Sequence, residues 1–136
     1  MENLFKILIA SGGTIVSYLF GGWSTLLQIL MVFIVIDYLT GLMAGWGKWN
    51  SKVGFKGIAK KVMILVLVAV GHAVDTVLGG DSHFIRDAVI FFYLANESLS
   101  IIENAGRTGL PIPNVLKKAV ETLSEKSESE VKKKVK

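Results

Sequence analysis

Long apolar blocks alternate with short polar segments along the chain. Four blocks cover about residues 4–20, 24–44, 58–78 and 84–105. About 20 predominantly apolar residues are enough for a helix to cross the hydrocarbon core of a bilayer. The pattern therefore predicts an all-α, polytopic membrane protein with three to four transmembrane helices. The lower number applies if the first block, which contains several small polar residues, lies flat at the membrane interface.

Turn residues mark the ends of these blocks. Gly21 and Gly22 follow the first block, and a glycine-containing turn at residues 79–83 separates the third block from the fourth. Residues 106–113 contain two glycines and two prolines, which end the last block. Residues 1–113 are thus expected to form the membrane domain.

A different pattern begins at Asn114. Apolar residues between Val115 and Leu123 recur at helical spacing and predict a short amphipathic helix. From Ser124 onward the chain consists mainly of Ser, Glu and Lys, a composition typical of disorder. Residues 114–136 are therefore expected to form a cytoplasmic amphipathic helix followed by a disordered charged tail.

The distribution of charge predicts the orientation of the blocks. Only 19% of the 136 residues are charged, against about 25% in ordinary soluble domains. Thirteen of the 15 Lys and Arg residues lie at 48–61 or from Arg107 onward. Short loops rich in Lys and Arg lie on the cytoplasmic side. The loop at 47–61 and the C-terminus are therefore placed in the cytoplasm, as is the N-terminus if the first block crosses. The lysines expected to anchor this topology are Lys48, Lys52, Lys56, Lys60 and Lys61.

Composition narrows the chemistry that the chain can perform. The sequence has no cysteine, which excludes disulfides and thiolate sites, and its two histidines are too few for a metal cluster. It contains no phosphate-binding loop, nucleophile motif or nucleic-acid recognition motif. No enzyme activity, cofactor, metal or nucleic-acid partner is expected. The first block has some features of a signal peptide, but Glu2 offsets Lys6 and no A-x-A cleavage site follows, so we expect it to be retained.

Ionisable and polar residues inside the apolar blocks are the candidate functional residues. A charged side chain at a helix centre costs about 2.5 to 3.5 kcal/mol on insertion scales, so such residues tend to face water or a partner. On the fourth block, one helical stripe is formed by Arg86, Tyr93, Glu97, Ser100 and Asn104, with Asn96 and Glu103 at its edge. The remaining candidates are Asp37, His72, Asp75 and Asp87.

Two interpretations of these residues remain open. The acids could pair locally near helix ends, which suits Asp87 and Glu103. Alternatively, the stripe could line a water-filled space or join subunits, which is the favoured interpretation for Glu97. Asp75 and His72 would suit a simple hydrogen bond between helices. Candidate helix-packing positions are the small-residue rows Gly13, Ser17 and Gly21, and Gly41 and Gly45, although glycine is common in membrane helices in any case.

Three groups of residues, taken in order, resemble the phage lysis and toxin-secretion holins, a family that includes clostridial toxin-release proteins. The first group is Asp37–Gly41, at the end of the second block. The second, in the basic segment, consists of Ser51, Gly54, Gly57, Lys60 and Lys61. The third consists of Phe92, Tyr93, Asn96, Glu97, Ser100, Ile101, Glu103, Asn104, Gly109, Pro111, Pro113 and Leu116. The resemblance covers about residues 30–120.

The resemblance implies a function and a set of partners. Holins accumulate in the bacterial cytoplasmic membrane, oligomerise, and form lesions that release an endolysin or a toxin and so time lysis of the host. Their partners would be copies of the same chain and the lipid bilayer, and the endolysin or toxin need not make direct contact. Two alternatives remain open, namely a small oligomeric ion channel or transporter subunit and an antiholin-type regulator.

Overall fold

Five α-helices make up most of residues 1–135, the part of the chain that this computed structural model describes. They are α1 (Glu2–Phe20), α2 (Thr25–Ala44), α3 (Ser51–Val77), α4 (Phe84–Arg107) and α5 (Asn114–Val135). No strand occurs in the described part of the chain. The predicted all-α fold is therefore confirmed.

Two helices, α1 and α2, are long and apolar enough to cross a membrane. This is fewer than the three to four transmembrane helices predicted from the sequence. Polar residues account for the difference. The uninterrupted apolar stretch of α3 is limited to residues 62–71, between a pair of lysines and His72. Helix α4 carries Arg86 and Asp87 in its first turn and Glu97 near its middle.

Helix α4 lies at the centre of the fold, in contact with α2, α3 and α5, whereas α1 packs mainly against α3. The buried apolar core is built by α2, α3 and α4 from Leu27, Leu30, Ile34, Ile64, Val68, Ile90 and Leu94. Helix α1 contributes no buried residue to it. The N-terminal helix is thus held at its C-terminal end and is otherwise exposed.

The outer surface of the bundle is strongly apolar. Exposed large side chains include Leu4, Phe5, Leu8, Val32, Val35, Leu39, Val62, Met63, Val66 and Val70. By contrast, Asp37, Arg86 and Glu97 are buried. Apolar groups outside and ionisable groups inside are the arrangement expected of helices surrounded by lipid, because a charge costs least where it faces a partner.

Helix α3 begins earlier than the sequence predicted. The side chain of Asn50 accepts a hydrogen bond from the backbone N–H of Lys52 at 2.9 Å, which caps the helix at Ser51 rather than at about residue 58. The predicted loop at 47–61 is therefore mostly helical. Four of its five lysines lie on the first turns of α3, whereas Lys48 precedes the helix. The side of α3 on which each lysine lies therefore decides what it can contact.

The prediction of a disordered tail from Ser124 is wrong. Helix α5 continues to Val135 and packs along α4. At its end, the Nζ of Lys134 donates to the backbone carbonyl of Phe84 at 3.2 Å and lies 3.5 Å from the centre of the Phe84 ring. These tertiary contacts outweigh a composition that would not sustain a helix alone. Lys136, the last residue of the predicted tail, lies outside the described residues.

Candidate functional site

Lys61 lies between two buried carboxylates from neighbouring helices. Its Nζ forms ion pairs with Asp37 Oδ2 on α2 and, at 2.5 Å, with Glu97 Oε2 on α4. The side chains of Lys61, Asp37 and Glu97 are 18%, 9% and 6% exposed. A single cation thus joins α2, α3 and α4 at one level of the bundle, which we call the lysine network.

Asn104 extends this network toward the end of α4. Its Nδ2 donates to Asp37 Oδ1 at 2.9 Å, to the carbonyl of Asp37 at 3.2 Å and to Thr40 Oγ1 at 3.1 Å. Both oxygens of the Asp37 carboxylate therefore have partners. Asn104 and Glu97 are two turns apart on α4, so the helical stripe predicted from the sequence faces α2 and α3 of the same chain at these two positions.

A second polar network occupies the other end of α3 and α4. The two carboxylate oxygens of Asp75 accept hydrogen bonds from the backbone N–H groups of Ile85 and Arg86, each at 2.9 Å. Donors in the first turn of a helix have no partner within the helix, and a negative charge is favoured there. Asp75 of α3 therefore caps α4 and connects the two helices directly.

Arg86 ties the end of α1 to α4. Its Nη1 donates to the carbonyls of Phe20 at 2.8 Å and Gly21 at 3.3 Å, while Nε and Nη2 donate to Asp87 Oδ1 at 3.0 and 2.9 Å. A cation at a helix C-terminus donates to carbonyls that lack a hydrogen-bond donor within the helix, and it is favoured by the helix dipole. Asp87 thus pairs with a neighbour on its own helix, which agrees with the interpretation that it pairs locally near a helix end.

Gly21 must be glycine for two reasons. Its φ of +72° is a left-handed conformation that ends α1, and a Cβ atom at this position would lie 2.5 Å from the ring of His72. The rings of His72 and His83 are 5.9 Å apart, and His72 Nδ1 is buried without a hydrogen-bond partner in residues 1–135. Within these residues, no group of three or more His, Asp or Glu side chains is placed to hold a metal ion.

The remaining predicted residues have varied surroundings. Tyr93 is half-buried and packs against the apolar core, and Ser100 is also half-buried. Asn96 and Glu103 are exposed at the edge of the stripe. Among the small-residue rows, Gly13 has open space where a Cβ would be, whereas a Cβ on Gly41 would lie 3.6 Å from Asn104 Nδ2. Ser17 is exposed, and a Cβ on Gly45 would meet only the carbonyl of Gly41 on its own helix.

A cavity of about 570 Å³ adjoins the lysine network. It lies between the second half of α2, the α2–α3 connection, the first turns of α3 and the end of α4. The side chains that carry charge around it are Asp37, Lys48, Lys60, Lys61, Glu97 and Arg107. Tyr38 crosses from α2 to α3 beside this cavity. A Cβ on Gly54 or Gly57 would lie 3.6 Å from the Tyr38 side chain, at ordinary van der Waals distance, so Tyr38 packs directly against this face of α3.

Comparison with known proteins decides the family. The bacteriophage holin family matches residues 14–125 of the chain. The chain belongs to this family. An uncharacterized protein of Listeria innocua is 49% identical over 98% of this chain and 96% of its own length, and one of Listeria monocytogenes is 50% identical over 93% and 91%. A protein of Bacillus phage phi105 named as a probable holin is 33% identical over 74% of each chain. No solved structure matches the chain.

Family membership and the two apolar helices together indicate a membrane-associated protein, and membership suggests a non-enzymatic one. Several of the residues on which the resemblance to holins rests lie close together in the fold. Asp37, Lys61, Glu97 and Asn104 form the lysine network, and Gly54 and Gly57 adjoin Tyr38. The resemblance thus centres on one contiguous site where three helices meet.

Sequence reasoning missed the pairing role of Lys61, which it assigned to topology alone. One signal pointed to the pairing. Lys61 is the basic residue that directly precedes the apolar stretch of α3, while acids outnumber bases within the apolar blocks. A buried acid without a partner would be costly, so a lysine at the boundary of an apolar stretch was a candidate partner for Asp37 or Glu97.

Proposed function

We propose that this chain is a holin that accumulates in the bacterial cytoplasmic membrane, oligomerises, and opens lesions through which an endolysin or an exported toxin leaves the cell. The observation that carries the proposal is the contrast between an apolar outer surface and the lysine network inside. Such a chain is stable in lipid as a closed unit, yet it holds the polar groups that a water-filled opening requires. Membership of the holin family supports the same role.

The proposed topology has more than two crossings. Helices α1 and α2 are apolar enough to cross by themselves. We propose that α3 and α4 cross with them, because their charges are paired within the chain and the cost of insertion falls when ionisable groups face partners. The lysine-rich start of α3 supports a cytoplasmic α2–α3 connection, because short loops rich in Lys and Arg lie on that side. In this orientation α4 runs from the outside to the inside, and the C-terminus and a spanning N-terminus are cytoplasmic.

The switch that we propose is an exchange of partners. In the single chain, Lys61 neutralises Asp37 and Glu97, and Arg86 is satisfied by α1 and Asp87. When chains accumulate, the stripe of α4 would turn toward neighbouring copies and water. Each exposed charge is costly in lipid, at about 2.5 to 3.5 kcal/mol on insertion scales, and is stable in water. The change is therefore unfavourable for one chain but favourable for an assembly that encloses water, which gives an abrupt transition.

The membrane potential would hold the closed state. A charge that moves across the membrane changes the free energy by about 2.3 kcal/mol per 100 mV. Collapse of the potential should therefore release a held assembly if the change moves charged groups of α4 through the field. This property links the lysine network to the timing of lysis.

Inducible expression in a bacterium tests the proposal. The chain is expressed with a cytoplasmic endolysin, and each protein is also expressed alone. We expect the pair to cause abrupt lysis after a delay, earlier when an uncoupler is added, and neither protein to do so alone. Loss of potential with the endolysin retained inside would instead indicate a small ion channel. Growth that continues unchanged under co-expression would contradict the proposal.

A further inference from the structure

We propose that the cavity beside the lysine network binds the anionic phosphodiester headgroup of a membrane phospholipid. The inference rests on the proposed membrane orientation, in which the α2–α3 connection faces the cytoplasm. The volume of the cavity, about 570 Å³, lies within the range of about 300 to 1,000 Å³ that is typical of small-molecule sites. At this level of the bundle, the molecule that is always present is the lipid of the inner leaflet.

Unpaired cations line the cavity. Lys48, Lys60 and Arg107 are among its lining residues, and none of the three forms an ion pair within residues 1–135. Lys61 is already engaged by the two acids in the wall. Four basic and two acidic side chains leave this cavity with a net charge of +2. A cavity with this positive charge favours an anionic ligand.

Two hydroxyl groups add polar contacts that a headgroup needs, and a tryptophan ring adds a surface typical of the headgroup region. Tyr38 and Ser100 line the cavity, and the hydroxyl of each can donate a hydrogen bond to a phosphate or glycerol oxygen. Trp49 also lines it, and its ring is fixed by a 2.8 Å hydrogen bond from Nε1 to the carbonyl of Leu42. Trp49 packs edge-on against Trp46, with ring centroids 4.9 Å apart. Tryptophan is enriched at the depth of lipid headgroups.

The lining also has an apolar part, which favours a lipid over a free phosphate compound. Leu42 and Val53 lie in the wall beside the cations. They offer a surface for the glycerol backbone and the start of an acyl chain, neither of which a free phosphate possesses. Basic pockets between transmembrane helices on the cytoplasmic side are known sites for anionic headgroups. We therefore propose a membrane phospholipid, and not a free phosphate compound, as the ligand of this cavity.

The chain supplies a matched pair of variants for the test. Lys48 and Lys60 line the cavity, whereas Lys52 and Lys56 belong to the same basic segment and are exposed without lining it. The double variant K48Q/K60Q and the control K52Q/K56Q remove equal charge. Each full-length protein is purified in detergent and titrated with phosphatidylglycerol or phosphatidylcholine, and bound lipid is counted by native mass spectrometry. Circular dichroism confirms that both variants retain the wild-type helix content.

We expect the wild-type chain to bind phosphatidylglycerol in preference to phosphatidylcholine. Two basic contacts are worth about tenfold or more in affinity, so K48Q/K60Q should bind phosphatidylglycerol at least about tenfold more weakly, while K52Q/K56Q stays close to the wild type. Equal weakening in both variants would overturn the inference, because only general surface charge would then be involved. So would equal binding of the two lipids.

A competition arm separates the lipid from its soluble relatives. Glycerol phosphate and inorganic phosphate are added to the complex with phosphatidylglycerol. We expect both to displace the lipid only weakly, since neither has an acyl chain to contact Leu42 and Val53. Displacement at concentrations similar to that of the lipid would overturn the lipid assignment. The assay counts bound lipid and not lysis, so a chain that binds phosphatidylglycerol in the cavity but fails to lyse cells would count against the proposed function alone.

Discussion

Gly71 of α3 lies so close to Arg86 of α4 that a Cβ atom on Gly71 would be 3.0 Å from Arg86 Cα and 3.3 Å from its backbone nitrogen. The backbones of the two helices are therefore in close contact beside the point where Asp75 caps the first turn of α4. A backbone atom cannot move aside as a flexible side chain can. Any side chain at position 71 must thus push α4 away and loosen the cap, the contact of Arg86 with α1, or both.

The first prediction concerns this close contact. Gly71→Ala should lower the free energy of unfolding by about 1 to 3 kcal/mol, the usual cost of overpacking a tight interface. The matched control is Gly57→Ala on the same helix, where a Cβ would lie 3.6 Å from the Tyr38 ring in ordinary contact. Unfolding in detergent, followed by circular dichroism, measures both. Equal stability of the two variants would show that α3 and α4 are not in close contact here.

The second prediction concerns Lys61. Lys61→Met leaves Asp37 and Glu97 adjacent, buried and without their cation, and removal of one partner from a buried ion pair costs about 3 to 5 kcal/mol. The variant should unfold much more readily or fail to accumulate in the membrane. Lys56→Met, on the exposed side of α3, should behave like the wild type.

A rescue variant separates pairing from packing at the same site. The triple variant K61M/D37N/E97Q has no buried charge and should recover most of the stability that K61M loses, because a buried ion pair can often be replaced by neutral groups at little cost. We also expect it to delay or abolish lysis with a co-expressed endolysin, since its stripe no longer carries the charges that favour water. A triple variant as unstable as K61M would indicate that Lys61 acts through shape and not charge.

The third prediction concerns Asp75. Asp75→Ala removes the acceptor for the N–H groups of Ile85 and Arg86, and loss of a helix cap costs about 0.5 to 2 kcal/mol. Hydrogen exchange at these two amides should accelerate, while amides in the middle of α4 change little. Asp81→Ala, in the exposed turn before α4, serves as the control. Unchanged exchange at residues 85 and 86 would rule out capping by Asp75.

The fourth prediction concerns α5. In the structure Lys134 reaches Phe84, at the start of α4. If α4 crosses with that end outside and the lysine-rich tail remains in the cytoplasm, α5 must leave α4 on insertion. The chain has no native cysteine, so the variant F84C/K134C can report this contact. We expect cross-linking of the two cysteines in detergent but not in membranes.

The control for this experiment is F84C/K117C, because Lys117 lies in the first turn of α5, at the opposite end of the helix from Lys134. This pair should cross-link in neither environment. Efficient cross-linking of F84C/K134C in native membranes would mean that α5 accompanies α4, which would contradict a cytoplasmic C-terminus together with a spanning α4.

The sequence predicted the helices well where apolar blocks and turn residues agreed. The start of α2 and the end of α1 follow from Ser24 and Gly21, whose capping roles are local. It failed at the start of α3, since a single hydrogen bond from Lys52 to Asn50 extends the helix into a polar segment. It also failed for α5, because contacts with α4 cannot be inferred from composition.

The candidate site was predicted in part for a similar reason. Periodicity alone placed Glu97 and Asn104 on one face of α4. It could not show which residues of other helices that face meets, because a long-range pair such as Asp37 and Asn104 depends on how the helices are packed. The same holds for Lys61, whose partners lie 24 and 36 residues away along the chain. Its pairing could not be predicted, and its charge alone indicated a role in topology.

The most direct test of the proposed switch is the exposure of the α4 stripe to water during lysis. Tyr93→Cys provides a single thiol on the stripe, and Val32→Cys provides one on the apolar outer face of α2. Cells that express each variant with an endolysin are treated with a membrane-impermeant thiol reagent before and after the onset of lysis. We expect the labelling of position 93 to rise sharply at onset, while position 32 stays unlabelled throughout. Lysis on schedule with position 93 unlabelled would contradict the proposed switch.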